Sequence, residues 1–181
     1  MIRVGIIGVS GRNINHNVTE EHMKWMADNV ECYIKDVLET TNDKIILVSG
    51  GSACSDHVAV QLYLEGGFAG LELYLPTKFN LSTKKFETTH EGNILNFLHS
   101  KCKTKTGRDV LSELSEAITN PNVKVVIGKG FFARNTMIAE ISDHLLAFTF
   151  GEGDTPIDGG TYDTWKKTKH HNKLHLSLDL V

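Results

Sequence analysis

The sequence predicts an α/β fold, a three-layer sandwich around a mostly parallel central sheet, and two observations carry that prediction. Short runs apolar on both faces recur along the chain: Val4 to Val9, Ile45 to Val48, Leu71 to Leu75, Val123 to Ile127, Leu145 to Phe150 and Leu174 to Leu180. Between several of them the apolar residues fall at helical spacing. Strands that are apolar on both sides must be covered on both sides, and parallel strands need long crossovers, so this alternation is that of a Rossmann-like layer fold.

The elements follow in order. After the first strand, Met23, Met26, Ala27, Val30, Ile34, Val37 and Leu38 share one face of a helix that Thr19 opens, with Glu20 and Glu21 placed against its positive end. Ser55 to Glu65 carries Val58, Ala59, Leu62 and Tyr63 on a stripe, and Gly66-Gly67 ends it. From Pro76 to Asn122 the pattern is weaker: Thr77 to His90 reads as a polar loop, functional lid or solvated excursion, followed by helices at Gly92 to Lys101 and Arg108 to Ile118. The second of these stops at Asn120-Pro121. A final helix carries Trp165 one turn in, where core packing is the commoner role and base stacking the rarer one.

At 181 residues the chain fits a single domain over 1–181, large enough to close its own core. Its formal charge of −3 gives no broad reason to bind nucleic acid or an anionic membrane, so any anion recognition must be local. Cys32, Cys54 and Cys102 make no C-x-x-C pair, which argues for a reduced, cytoplasmic setting without a disulfide framework or a cysteine zinc site. No apolar stretch reaches spanning length. His170, His171 and His175 suggest a metal cluster at first sight, but adjacent helical positions diverge and His175 sits in an alternating strand, so no metal is assigned.

In a parallel sheet the ligand binds at the carboxyl ends of the strands, and four glycine corners stand there. The first holds Gly8, Ser10, Gly11, Arg12 and Asn13, without the G-x-G-x-x-G spacing of a dinucleotide crevice. The second holds Gly50, Gly51 and Ser52, followed by Asp56 and His57 at a helix start. His57 beside Asp56 is a candidate for acid–base work, although an ordinary surface histidine is the commoner role. In the third, Arg134 can fork onto a phosphate and Asn135 can cap the following helix. The fourth is Gly159-Gly160-Thr161-Tyr162, a strand-to-helix turn whose free N–H groups and helix dipole suit a phosphate. Each corner alone admits a purely architectural role; together they point to one anion-binding pocket.

These four corners, in this order, resemble the SLOG superfamily, the Rossmann-like proteins that include the LOG phosphoribohydrolases and the DprA/Smf DNA-processing proteins. The similarity runs from Ile2 to about Leu176 and lies in Gly8-Val9-Ser10-Gly11-Arg12, in Gly50-Gly51 with Asp56 and Ala59, in Arg134-Asn135 with Met137 and Asp143, and in Gly159-Gly160-Thr161 with Thr164. The resemblance implies a small nucleotide as ligand, its phosphate held by Gly159-Gly160-Thr161 and the first corner, and a homo-oligomeric assembly. It implies cleavage of the N-glycosidic bond of a nucleoside 5′-monophosphate, with Arg134 in the place of the LOG arginine. The LOG glutamate is replaced by Tyr162-Asp163-Thr164-Trp165, so Asp163 and Asp56 become the carboxylates to test, with Glu91 a third should the long loop fold over the site. The alternative is a non-catalytic sensor or sequestering binder of a nucleotide signal. No cofactor is required by this chemistry, although a phosphate ligand can bring Mg²⁺ with it.

Overall fold

The computed structural model describes residues 1–157 and 159–181. Its elements are β1 (Ile2–Gly8), α1 (Glu20–Cys32), β2 (Ile45–Ser49), α2 (His57–Glu65), β3 (Gly70–Leu75), β4 (Phe79–Asn80), β5 (Lys85–Phe86), α3 (His90–Thr106), α4 (Val110–Thr119), β6 (Val123–Ile127), α5 (Phe131–Ile141), β7 (His144–Thr149), α6 (Gly159–Lys167) and β8 (Lys173–Ser177). Six strands form one parallel sheet in the order β6-β3-β2-β1-β7-β8. The chain moves outward from β1 through β2 and β3 to β6, then returns to place β7 on the other flank of β1. The crevice between the carboxyl ends of β1 and β7 is therefore the topological switch point, where ligands of such sheets bind.

Side-chain alternation divides the core into two layers. Val4, Ile6, Leu47, Leu71, Leu73, Leu146 and Phe148 face one side, against Met23, Met26, Val58, Leu62, Leu95 and Leu114 of α1, α2, α3 and α4. Ile7, Val48, Tyr74, Leu145 and Ala147 face the other, against Ile138 of α5 and Trp165 of α6. This is a Rossmann-like three-layer α/β sandwich, and Trp165 is a core residue in it.

The caps fix where the helices begin. Thr19 and His22 close a reciprocal capping box on α1, and the Thr89 hydroxyl accepts from Gly92 N at 3.0 Å on α3, which starts α3 two residues earlier than the apolar spacing suggests. Asn135 does not cap α5: that helix opens at Phe131 behind Gly130, whose φ of +88° only glycine adopts readily, leaving Asn135 in its second turn. The first helix changes to a π turn at Tyr33–Val37, and the last apolar run divides into β8 and a 3₁₀ turn at Leu178–Leu180. The polar passage holds a two-stranded hairpin, β4 with β5, packed by the edge-on rings of Phe79 and Phe86. β6 is an edge strand, half-exposed at Val125 and Ile127 rather than covered on both faces. Among the described residues, no helix is long and apolar enough to cross a membrane.

Candidate functional site

A cleft of about 880 Å³ opens at the switch point, and all four predicted corners contribute to it. Gly8 to Asn13 line it after β1, Ser52 and Asp56 after β2, Arg134 and Asn135 from α5, and Gly159, Gly160, Thr161 and Thr164 from α6. Hydrogen bonds to backbone carbonyls stitch the corners and β7 together: Val9 N donates to Phe148 O at 3.0 Å, Ser55 N to Val9 O at 3.1 Å, and the Thr161 hydroxyl to Gly8 O at 2.9 Å. Gly8 permits this convergence, since a Cβ there would collide with the Phe148 carbonyl and lie 2.6 Å from the Ser55 hydroxyl.

Beneath the cleft runs a connected line of polar groups. Ser52 N donates to Asp56 Oδ2 at 3.3 Å, and Arg134 Nη1 lies 3.6 Å from the same oxygen while donating to Gly50 O. Arg134 Nε donates to Asn135 Oδ1 at 2.9 Å, Asn135 Nδ2 to Asp163 Oδ2 at 3.1 Å, and Lys167 completes the line at 2.8 Å from Asp163. Burial raises the Asp56 carboxyl above its ordinary range, against the opposing pull of Arg134 and the backbone N–H groups. Burial also lowers the Arg134 guanidinium, and nearby Arg12 adds to that; a guanidinium stays cationic at neutral pH regardless. Arg12 and Arg134 both stand over the Phe131 ring, at 5.8 and 5.6 Å from its centre. Both guanidiniums border the cleft, Arg134 with the Asp56 carboxylate as its counter-charge.

Not every residue singled out in the sequence faces this space. Gly50 and Gly51 lie under it as clearance: a Cβ on Gly50 would meet the Arg134 guanidinium and sit 2.7 Å from Asp56 Oδ2, and one on Gly51 would strike Leu75. Asp163 is on α6 but does not line the cleft; burial opposes its ionisation, yet the bonds from Lys167 and Asn135 prevail and hold its carboxyl below the usual range. Tyr162 is turned to Lys166, whose ammonium is 4.6 Å from the ring centre. Glu91 borders Gly130 rather than the cleft, while its neighbour His90, with Ile94 and Leu98, makes α3 one wall. His57 is no surface histidine. It is buried and bonded to Glu113 at 2.6 Å, and burial depresses its pKa.

Other lining residues carry no glycine corner in the sequence. Phe150 stacks on His16 with ring centres 4.6 Å apart, giving the cleft an aromatic side. Asp179 is the second carboxylate among the described lining residues and accepts from Gly151 N at 2.7 Å. Thr149, at the end of β7, also lines it. Among the described residues no cluster of His, Cys, Asp and Glu is arranged to hold a metal; His170 bonds Ser142 O instead.

A smaller cavity of about 130 Å³ adjoins the first corner, lined by Gly11, Cys54, Cys102, Lys101 and Lys105 among others. Its neighbour Cys54 holds the Cys102 thiol below its ordinary value against the effect of burial, while Cys102 and burial together raise Cys54. Iodoacetamide should therefore alkylate Cys102 with a rate that is half-maximal below pH 8.5, the ordinary thiol value, read by peptide mass spectrometry; a midpoint above it would contradict this pairing.

No family model matches the chain. It is 53% identical over 181 residues to uncharacterized protein R261 of Acanthamoeba polyphaga mimivirus, an alignment that covers 99% of this chain and 97% of that protein. Similarity of that degree over both whole lengths means one fold and one ancestry, and the chain belongs to the family of mimivirus protein R261.

Proposed function

We propose that this cleft binds a small nucleotide and hydrolyses its N-glycosidic bond, with a nucleoside 5′-monophosphate as the representative substrate. The observation that carries the reading is the convergence of Arg12, Arg134, the first corner and the amino end of α6 on one space at the switch point. The phosphate takes the N–H groups of Gly159-Gly160-Thr161 and the first corner, and the arginines neutralise it. The base stacks beside Phe150. Asp56, the one predicted carboxylate that lines the cleft, stabilises the positive charge that develops on the sugar carbon as the base departs. A phosphate anchor at one end and a carboxylate at the other hold the ring in register.

A second reading, a non-catalytic sensor or sequestering protein, is favoured by one observation: Asp163, in the segment that replaces the LOG glutamate, is committed to Lys167 and Asn135. A panel of nucleoside mono-, di- and triphosphates, NAD, ADP-ribose and cyclic nucleotides, screened by thermal shift and then by chromatography for free base, separates the two. Under the hydrolytic reading, Asp56→Asn keeps nucleotide binding and loses about 100-fold or more in turnover, whereas Asp163→Asn stays within a few-fold. Binding with no base released leaves the sensor reading standing. No shift by any nucleotide removes both.

A further inference from the structure

Thr149 ends β7 at the rim of the cleft, and its hydroxyl is 2.6 Å from Nε2 of His175 on the neighbouring strand β8. The other ring nitrogen, Nδ1, is 2.7 Å from the carbonyl oxygen of Gly153. A carbonyl can only accept, so Nδ1 carries the proton. In the neutral ring Nε2 is then a bare lone pair, and the contact at 2.6 Å requires the threonine hydroxyl to donate. Hydroxyl, imidazole and orienting acceptor thus stand in the order that activates a nucleophile. The parallel register that pairs Ala147 with His175 and Thr149 with Ser177 fixes the ring, which is buried.

A tie between strand and loop would be a sufficient role for these groups if nothing else held them. Here β7 and β8 already share a five-residue register, and the loop after β7 is separately anchored by Asp179 on Gly151 N. The hydroxyl proton is directed at the histidine, which leaves both of the oxygen's lone pairs for an electrophile in the cleft.

We propose that Thr149 is a nucleophilic hydroxyl with His175 as its general base, so that the cleft transfers a group through a covalent threonine intermediate. This rests on the glycosidic reading above and names its attacking group. Thr149 Oγ1 forms a bond to the sugar carbon as the carbon–nitrogen bond breaks, and the electron pair leaves with the base. The hydroxyl proton passes to His175 Nε2, and the departing base, on the opposite face of the carbon, takes its proton from solvent in the cleft. Water then attacks the same carbon from the face the base has left, releasing its proton to solvent in the cleft, and the carbon–Oγ1 bond breaks as His175 returns its proton to Thr149. The protein ends unchanged, one water is consumed, and the sugar carbon keeps its configuration after two inversions. β2 and β7 lie on opposite sides of β1, so Asp56 and Thr149 approach the sugar from different flanks.

The test uses p-nitrophenyl acetate on the full chain, with the acetylated residues located by peptide mass spectrometry. Thr149 should acquire an acetyl group in the wild type and in Thr149→Ser at the corresponding hydroxyl. Acetylation there should slow by about 100-fold or more in His175→Gln. Thr149→Val keeps the branched strand side chain, melts within a few degrees of the wild type, and acquires no acetyl group at position 149. An unmodified Thr149 while surface lysines react, or equal modification with and without His175, overturns the proposal. The readout needs no nucleotide: acetylation of Thr149 in a protein that no nucleotide stabilises would retain the nucleophile and discard the glycosidic reading.

Discussion

Arg134→Met lowers the stability of the protein by about 3–5 kcal/mol at neutral pH, because it strands the buried Asp56 carboxylate without its cation. For a domain of this size that is a fall in Tm on the order of 10 °C. Methionine fills the volume of the arginine stem, so the loss reports charge and hydrogen bonds rather than a cavity. Three contacts vanish together: the ion pair to Asp56 at 3.6 Å, the donation to Gly50 O and the Nε bond to Asn135 at 2.9 Å. The pH dependence identifies the cause. Asp56 is already raised by burial, and losing Arg134 raises it further. An acid whose native pKa exceeds its unfolded value weighs against folding once ionised, so the penalty is complete above the native pKa. It fades as the pH falls toward the unfolded value, where both states hold the proton. Calorimetry should find the gap between wild type and Arg134→Met widest at pH 7 to 8 and narrowing toward about pH 4. A gap of constant size would mean that packing, not the stranded carboxylate, dominates. Arg134→Lys recovers little, since a point charge cannot serve Asp56, Gly50 and Asn135 at once.

That line of contacts also marks the limit of what the amino-acid sequence discloses. Strand ends were legible, because an apolar run followed by glycine and small polar residues is a local pattern, and Gly8 to Asn13 and Gly159 to Thr161 indeed meet at one crevice. The purpose of Gly50 was not legible. It makes room for a guanidinium that arrives from a helix 84 residues later, and nothing near Gly50 announces it. Asp163 illustrates a finer failure: its spacing from the glycine turn is local, but the face of α6 it occupies is decided by packing against α5, which gives its carboxylate to Asn135 and Lys167. His57 was drawn away by Glu113, 56 residues distant, for the same reason. Thr149 and His175 meet only because β8 lies beside β7, and Asp179 enters the cleft from the last turn of the chain. Pairings set by strand order need the strand order.

A steep response to acid belongs to His99. It is buried, donates from Nε2 to Gly51 O at 3.0 Å, and lies stacked on Phe86 with ring centres 5.7 Å apart. Its Nδ1 has no partner among the described residues, so a second proton would place an N–H where nothing accepts it. Burial lowers its pKa to about 3, with His57 adding to that and the Gly51 carbonyl opposing. The unfolded chain binds this proton near pH 6.5 and the native one only near pH 3, so between those values the unfolded state holds one proton more. Stability then falls with decreasing pH by about 1.4 kcal/mol per unit across the middle of that window, and is untouched by His99 above it. His57, lowered in the same direction, adds to the slope. His99→Phe retains the stack on Phe86 and loses the bond to Gly51, which costs about 1–3 kcal/mol at pH 7. It also removes one proton from the linkage, so its urea-unfolding curve approaches that of the wild type as the pH drops and crosses it near pH 5. Contributions from Asp56 and Glu113 are common to both chains and cancel in the difference. Parallel stability curves from pH 7 to pH 4 would show that His99 takes up its proton without unfolding, and that the site beneath Gly51 has water or an acceptor to receive it.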